Sequence, residues 1–222
     1  MKHLNILCAS ASLLLATSAM ADQTSADLVI KGSILPGPAC TVALGGSALN
    51  LGTIKRDMLN PDPSKPTQLP EKKVSTTVAC AHPTRFAFVV REAGGPDPSS
   101  DMAFTMHADD GEGRAGKLFL LFDTQSTKID GVQGYATGAD RMSELDQASW
   151  GPSTPSRENL PITNGRYAVG FVSQADSVTA PGNIKDLGVT LLVRPQISPA
   201  NDLDLTGNIG FSSDLGLEIS YF

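Results

Sequence analysis

From Asp27 onward the apolar residues of the chain either alternate with polar ones or gather in short runs, and Gly, Pro, Asn and Asp bound each run. Alternation sends successive side chains to opposite faces, the period of a half-buried β-strand. The pattern predicts strands at Leu28 to Ile34, Ala48 to Ile54, Lys73 to Ala79, Arg85 to Arg91, Lys117 to Asp123, Tyr167 to Ser173, Leu187 to Arg194, Leu203 to Phe211 and Leu215 to Phe222. Only Ser143 to Ala148 has the pattern of a helical turn, because nowhere else do apolar residues recur at helical spacing over ten residues. The expected class is therefore all-β, and so many short strands indicate a β-sandwich. Two segments break the rhythm, Ala93 to Gly116 and Thr124 to Asn164, and are expected to be long surface loops inserted into the sandwich. A forty-residue loop without structure is uncommon, so the second is expected to contain an extra hairpin around Gly131 to Tyr135. No internal repeat and no clear linker divides the chain.

The first residues follow a different pattern. Lys2 and His3 precede an apolar run from Leu4 to Ala16, and Ala19-Met20-Ala21 follows just before Asp22. Charge, apolar stretch and small-x-small ending, in that order, define a secretory signal peptide over residues 1–21. Cys8 lies inside it, without a lipidation motif. Residues 22–222 then form a single domain, expected to be exported to an oxidising compartment.

Composition narrows the class further. The 222 residues are 41% hydrophobic but only 5% aromatic, with 17 Lys plus Arg against 23 Asp plus Glu. A domain of this size buries roughly 70% of the surface its unfolded chain exposes, enough for a substantial core. A net charge of −6 argues against nucleic acid or an anionic membrane surface as partner, since both call for a basic patch. No apolar run is long enough to predict a transmembrane segment. Beyond the signal peptide two cysteines remain, Cys40 and Cys80, and in an oxidising compartment they are expected to pair.

Candidate enzyme chemistry is thin. The segment GEGRAGKL, Gly111 to Leu118, nearly spells a phosphate-binding loop, but Leu118 replaces the Ser or Thr that would hold magnesium, and a strand is predicted where a helix is needed. His82 and His107 have no partner at metal-ligand spacing, and His82, beside Pro83, reads as a turn residue. Asp109-Asp110-Gly111-Glu112 lacks the spacing of a calcium loop and reads as a solvated acidic loop. No nucleophile elbow occurs. The expectation is a non-enzymatic protein with no metal and no cofactor. Trp150 with Tyr135 offers two readings: an aromatic platform for a sugar ring, or a plug in which Trp150 covers the end of the sandwich.

The last eight residues, LGLEISYF, place Leu215, Leu217, Ile219 and Tyr221 on one face. Such a strand can be an ordinary core strand, or an edge to which a partner adds its own strand through main-chain hydrogen bonds. The secretory signal, VIKGSILPGPAC leading into Cys40, the following ALNLGTI, VSTTVAC ending at Cys80, the strand GRYAVGFV and the penultimate Tyr221 occur in an order that resembles chaperone–usher pilus subunits. Among these it is most similar to the fimbrial-subunit-like proteins grouped with P pilus assembly proteins. The resemblance covers about residues 27 to 92 and 160 to 222.

That resemblance implies an incomplete immunoglobulin-like, pilin-type sandwich lacking its seventh strand. In transit a periplasmic chaperone lends the missing strand. In the fibre, after passage through an outer-membrane usher, the N-terminal extension of a neighbouring subunit replaces it. Leu215, Leu217, Ile219 and Tyr221 would line the edge of the groove, and basic residues of the chaperone would grip the carboxylate of Phe222. Cys40 and Cys80 would join the first two strands, and Leu28 and Ile30 would serve as the apolar residues of a donor strand. The sequence departs from the family in its short polar stretch Asp22 to Asp27, in Gly207 and Gly210 flanking the usual glycine spacing, and in its two insertions. These departures fit a minor, tip or base subunit better than a repeating shaft subunit. The alternative is a self-sufficient secreted sandwich that binds carbohydrate around Trp150.

Overall fold

The computed structural model describes residues 40–46, 48–93, 102–109, 113–140, 144–155 and 158–222, all within the unit Pro36–Phe222. The expected signal peptide over residues 1–21 and the expected strand at Leu28 to Ile34 lie outside the described residues.

The chain is all-β, with two antiparallel sheets and two short 3-10 turns, Arg56–Met58 and Ala200–Asp202. In chain order the strands are β1 (Cys40–Leu44), β2 (Thr67–Gln68), β3 (Lys72–Thr84), β4 (Phe86–Glu92), β5 (Phe104–Ala108), β6 (Arg114–Ile129) and β7 (Val132–Gln133), followed by β8 (Tyr135–Asp140), β9 (Leu160–Ile162), β10 (Tyr167–Val172), β11 (Ile184–Ile197), β12 (Phe211–Ser212) and β13 (Leu215–Tyr221). The larger sheet has nine strands along the path β1-β3-β11-β6-β5-β12, with β2 paired to β11 and both β7 and β9 paired to β6. The smaller sheet runs β13-β4-β10-β8.

Alternation explains how the two sheets meet. Phe86, Phe88 and Val90 of β4 face Leu118, Leu120 and Phe122 of β6 and Val189 and Val193 of β11 in one core. At its centre the Phe88 and Phe122 rings stack at 5.6 Å and Phe171 of β10 meets both edge-on. Each of these side chains is essentially fully buried and stabilises the fold by roughly 1.5–3 kcal/mol relative to exposure. The intervening Ala87 and Val89 are buried too, on the opposite face of β4, where Trp150, Ala139 and Ala168 form a second cluster.

Cys40 and Cys80 are disulfide-bonded and sit opposite each other in the β1–β3 ladder, so the bond staples neighbouring strands of one sheet.

Several expected elements differ. Ala48 to Ile54 is not a strand: Gly52 has φ 75°, its N–H is bonded to Asn50 Oδ1, and Leu51 and Ile54 reach the core from a loop. Leu203 to Phe211 is also a loop, of which only Phe211 enters a strand, because the Asp204 side chain accepts hydrogen bonds from the N–H and hydroxyl of Thr206 and turns the chain. Conversely, the segment expected as a loop at Ala93 to Gly116 contains β5 and the start of β6, with Phe104, Thr105 and Met106 buried. In the second insertion β6 continues to Ile129 and turns through Asp130-Gly131 into β7, and both turn residues have positive φ, as a tight hairpin requires. That segment also holds β8 and β9. The expected helical turn is a single hydrogen-bonded turn, Gln147 N–H to Glu144 C=O, and Ser143 lies outside the described residues. His82 belongs to β3 rather than to a turn, and its carbonyl accepts the Thr84 hydroxyl.

Candidate functional site

β13 ends the path of the smaller sheet, bonded on one side to β4 in a continuous register from Leu215↔Glu92 to Tyr221↔Phe86. Among the described residues nothing pairs with its other edge. β1 likewise ends the path of the larger sheet. A strand edge left open in this way is a template for another strand.

Beside the β13 edge lies an apolar groove of about 1310 Å³. Its floor is the core face of the larger sheet: Val74 of β3, Leu191 and Val193 of β11, and Leu118 and Leu120 of β6. Val90, Leu215 and Leu217 form the smaller sheet's wall. Two loops complete the lining, one carrying Leu49, Leu51 and Ile54, the other Leu203, Leu205 and Ile209. The Asp204–Thr206 turn holds the second loop in shape, and those hydrogen bonds, the Thr206 hydroxyl foremost and then its N–H, keep the Asp204 carboxyl below the usual 3.8.

The sequence-predicted residues fall in distinct places. Leu215 and Leu217, which alternation puts on one face, line the groove. Ile219 packs against the core and is not among the residues lining the groove. Tyr221 is 43% exposed, and its hydroxyl accepts the Cys40 N–H at 3.2 Å. The side chain thus ties the start of β1 to the end of β13. Phe222 packs on the outer face of the smaller sheet, its ring stacked 5.5 Å from Trp150 with Arg85 above it at 4.7 Å.

Trp150 covers neither the end of the sandwich nor a free sugar platform. It is 5% exposed, bridges Ala139 of β8, and lies over Gly170, where a Cβ would be 2.8 Å from the ring. The glycine on β10 creates the flat seat that an indole needs on the sheet's outer face. A sugar platform requires an open ring face, which this burial removes. Tyr135 begins β8 and is half-buried. Leu28 and Ile30 lie outside the described residues, as do Asp110 of the acidic loop and Gly111 and Glu112 of the near phosphate-loop motif; Arg114 to Leu118 of that motif is strand.

One buried cluster carries no sequence signal. Glu92, at the end of β4, has a side chain 2% exposed. Its Oε1 accepts the Thr105 N–H and lies 3.0 Å from His107 Nε2, while Oε2 accepts from Asn164 Nδ2. Asn164 Oδ1 in turn accepts the Glu92 N–H. These bonds fasten β4 of one sheet to β5 of the other where β13 begins. Among the described residues no group of His, Cys, Asp or Glu is arranged to hold a metal ion. No helix there is long and apolar enough to cross a membrane.

No protein-family model, curated protein or solved structure matches the chain.

Proposed function

We propose that the protein is an exported, non-enzymatic fimbrial subunit whose sandwich is completed by a β-strand from another chain. The carrying observation is the apolar groove that opens the core beside the unpaired edge of β13. Main-chain groups of that edge offer hydrogen bonds to an incoming strand, and Leu215 and Leu217 with the floor residues offer pockets for its alternate side chains. The order of signal peptide, disulfide and penultimate Tyr221 supports the same assignment.

In this reading the sandwich is of immunoglobulin-like, pilin type. A periplasmic chaperone covers the groove in transit, an outer-membrane usher receives the complex, and a neighbouring subunit's extension takes the chaperone's place. The two inserted segments and the short polar stretch before Leu28 fit a minor, tip or base position.

The test is recovery of the tagged protein from a periplasm that also holds an usher-system chaperone, beside a Leu217→Asp variant. A one-to-one complex with the parent protein and none with the variant is expected. A parent protein that purifies alone, with no affinity for the chaperone, would overturn the assignment.

A further inference from the structure

Four charged residues line the largely apolar groove, and they are sorted by sign. Lys55 and Arg56 follow Ile54 in the first lining loop. Asp109 and Asp214 bracket β12: the Asp109 N–H is bonded to the Gly210 carbonyl just before that strand, and Asp214 immediately precedes Leu215 at the start of β13. All four are exposed, and none has a side-chain hydrogen bond or ion pair among the described residues. A single exposed charge without a partner is ordinary, since water solvates it. Two cations on one lining loop and two anions beside β12 and β13 give the groove a polarity that its apolar floor lacks, on a chain whose net charge is −6.

Size and edge narrow the occupant. A volume of about 1310 Å³ exceeds the roughly 300–1,000 Å³ of small-molecule clefts, and the open β13 edge beside it offers main-chain hydrogen bonds. An extended peptide meets both conditions. Alternating apolar residues alone leave its register loose, because a slip of two residues returns the same kind of side chain to the floor. Charges at its two ends remove that freedom: ion pairs at a rim add specificity more than affinity, and like charges brought together are costly.

We propose that the groove selects a strand of another protein by its end charges, taking alternating apolar residues bounded by a basic residue beside Asp214 and Asp109 and an acidic residue beside Lys55 and Arg56. The proposal rests on the groove being strand-accepting, and it specifies the chemistry of the partner. Strands with two acidic or two basic ends are disfavoured, as are registers shifted by two residues.

Synthetic peptides with blocked termini test this by titration against the full chain recovered from the periplasm. Each has an alternating Ile/Thr core matched to the seven residues of β13, with one residue added at either end. The ends are Glu and Lys in both orders, since strand direction decides which order matches, or two Glu, two Lys or two Gln. The better mixed peptide is expected to bind about 3- to 10-fold tighter than the other three compositions at low salt, and less than about twofold tighter at roughly 0.5 M salt. Lys55→Glu/Arg56→Glu should move the preference to the peptide with two Lys ends, and Leu217→Asp should abolish binding of every form, with retained cooperative unfolding showing that each variant is folded. Equal affinity for all compositions would overturn the proposal while leaving the groove's strand-accepting role intact, as would a preference that Lys55→Glu/Arg56→Glu leaves unchanged. Binding that survives Leu217→Asp would place the peptides outside the groove and overturn it too. Failure of every peptide to bind would also sink it, and the chaperone complex then reports separately on whether the groove accepts a strand.

Discussion

Gly170 shows how one residue type can fix a layer. Its absent side chain lets Trp150 and Pro181 close over β10, and a methyl there would lie 2.2 Å from Pro181 Cγ. Gly170→Ala is therefore expected to lower stability by about 1–3 kcal/mol through overpacking. Because Trp150 is the single tryptophan, a red shift of its emission should accompany the lowered urea midpoint. Glu92 fixes a different contact. Glu92→Ala leaves the Thr105 N–H and Asn164 Nδ2 without their acceptor, so a loss of at least ~2 kcal/mol is expected in the same denaturation experiment, against a smaller loss for Glu92→Gln. At Asp204 the hydrogen bonds from Thr206 lower the carboxyl pKa on folding. A depressed folded value means that its contribution is present above the unfolded pKa and fades as pH falls through the folded one. Thr206→Val should move the Asp204 titration up toward 3.8, followed by NMR, with the acid limb of the stability curve shifting the same way.

Among the elements, the Cys40–Cys80 bond closes a separation of 40 residues, which in the chain-entropy model corresponds to about 4 kcal/mol of unfolded-state restriction. Cys40→Ser/Cys80→Ser should lower the denaturation midpoint accordingly, since β1 is then held by its ladder to β3 and the main-chain bond of residue 40 to Tyr221. The strands that were legible in the sequence, β3, β4, β6, β10, β11 and β13, are those whose apolar residues either alternate or gather in a short run bounded by turn residues. Leu203, Leu205 and Ile209 alternate as well, but Asp204 turns the chain back on itself, so their alternation records a shared apolar surrounding rather than a strand. The same holds for Leu49 and Leu51 beside the Asn50–Gly52 turn. β5 escaped notice for the opposite reason: Thr105 is buried along with Phe104 and Met106, which erases the in-out pattern, and its Gly- and Asp-rich flanks resemble loop. Of the candidate site, the shared face of Leu215 and Leu217 followed from period, and a groove beside them only from the resemblance to pilus subunits. The floor did not, because it joins residues from β3, β6 and β11 that only the sheet order brings together.

For the molecule as a whole, the groove makes the two faces of β13 unequal in a measurable way. Leu217 points into the groove, whereas its neighbour Glu218 lies on the opposite face, paired with Arg91 at 3.0 Å and about half exposed. Substitution at either residue leaves the main-chain groups available to an incoming strand in place, so any difference between them reports side-chain seating. An exposed ion pair contributes little, roughly 0–1 kcal/mol, and Glu218→Ala should change chaperone binding by less than about fivefold. Leu217→Asp places a charge among apolar groups that cannot solvate it, and should weaken binding by well over ~100-fold. Both variants keep the β13–β4 ladder, so retained cooperative unfolding checks that each remains folded. Titration calorimetry with an usher-system chaperone discriminates the outcomes. A large loss at Leu217 with near-parent affinity at Glu218 identifies the groove face as the docking face, and equal losses at both would instead locate recognition on the outer face, where Phe222 and Arg85 lie against Trp150.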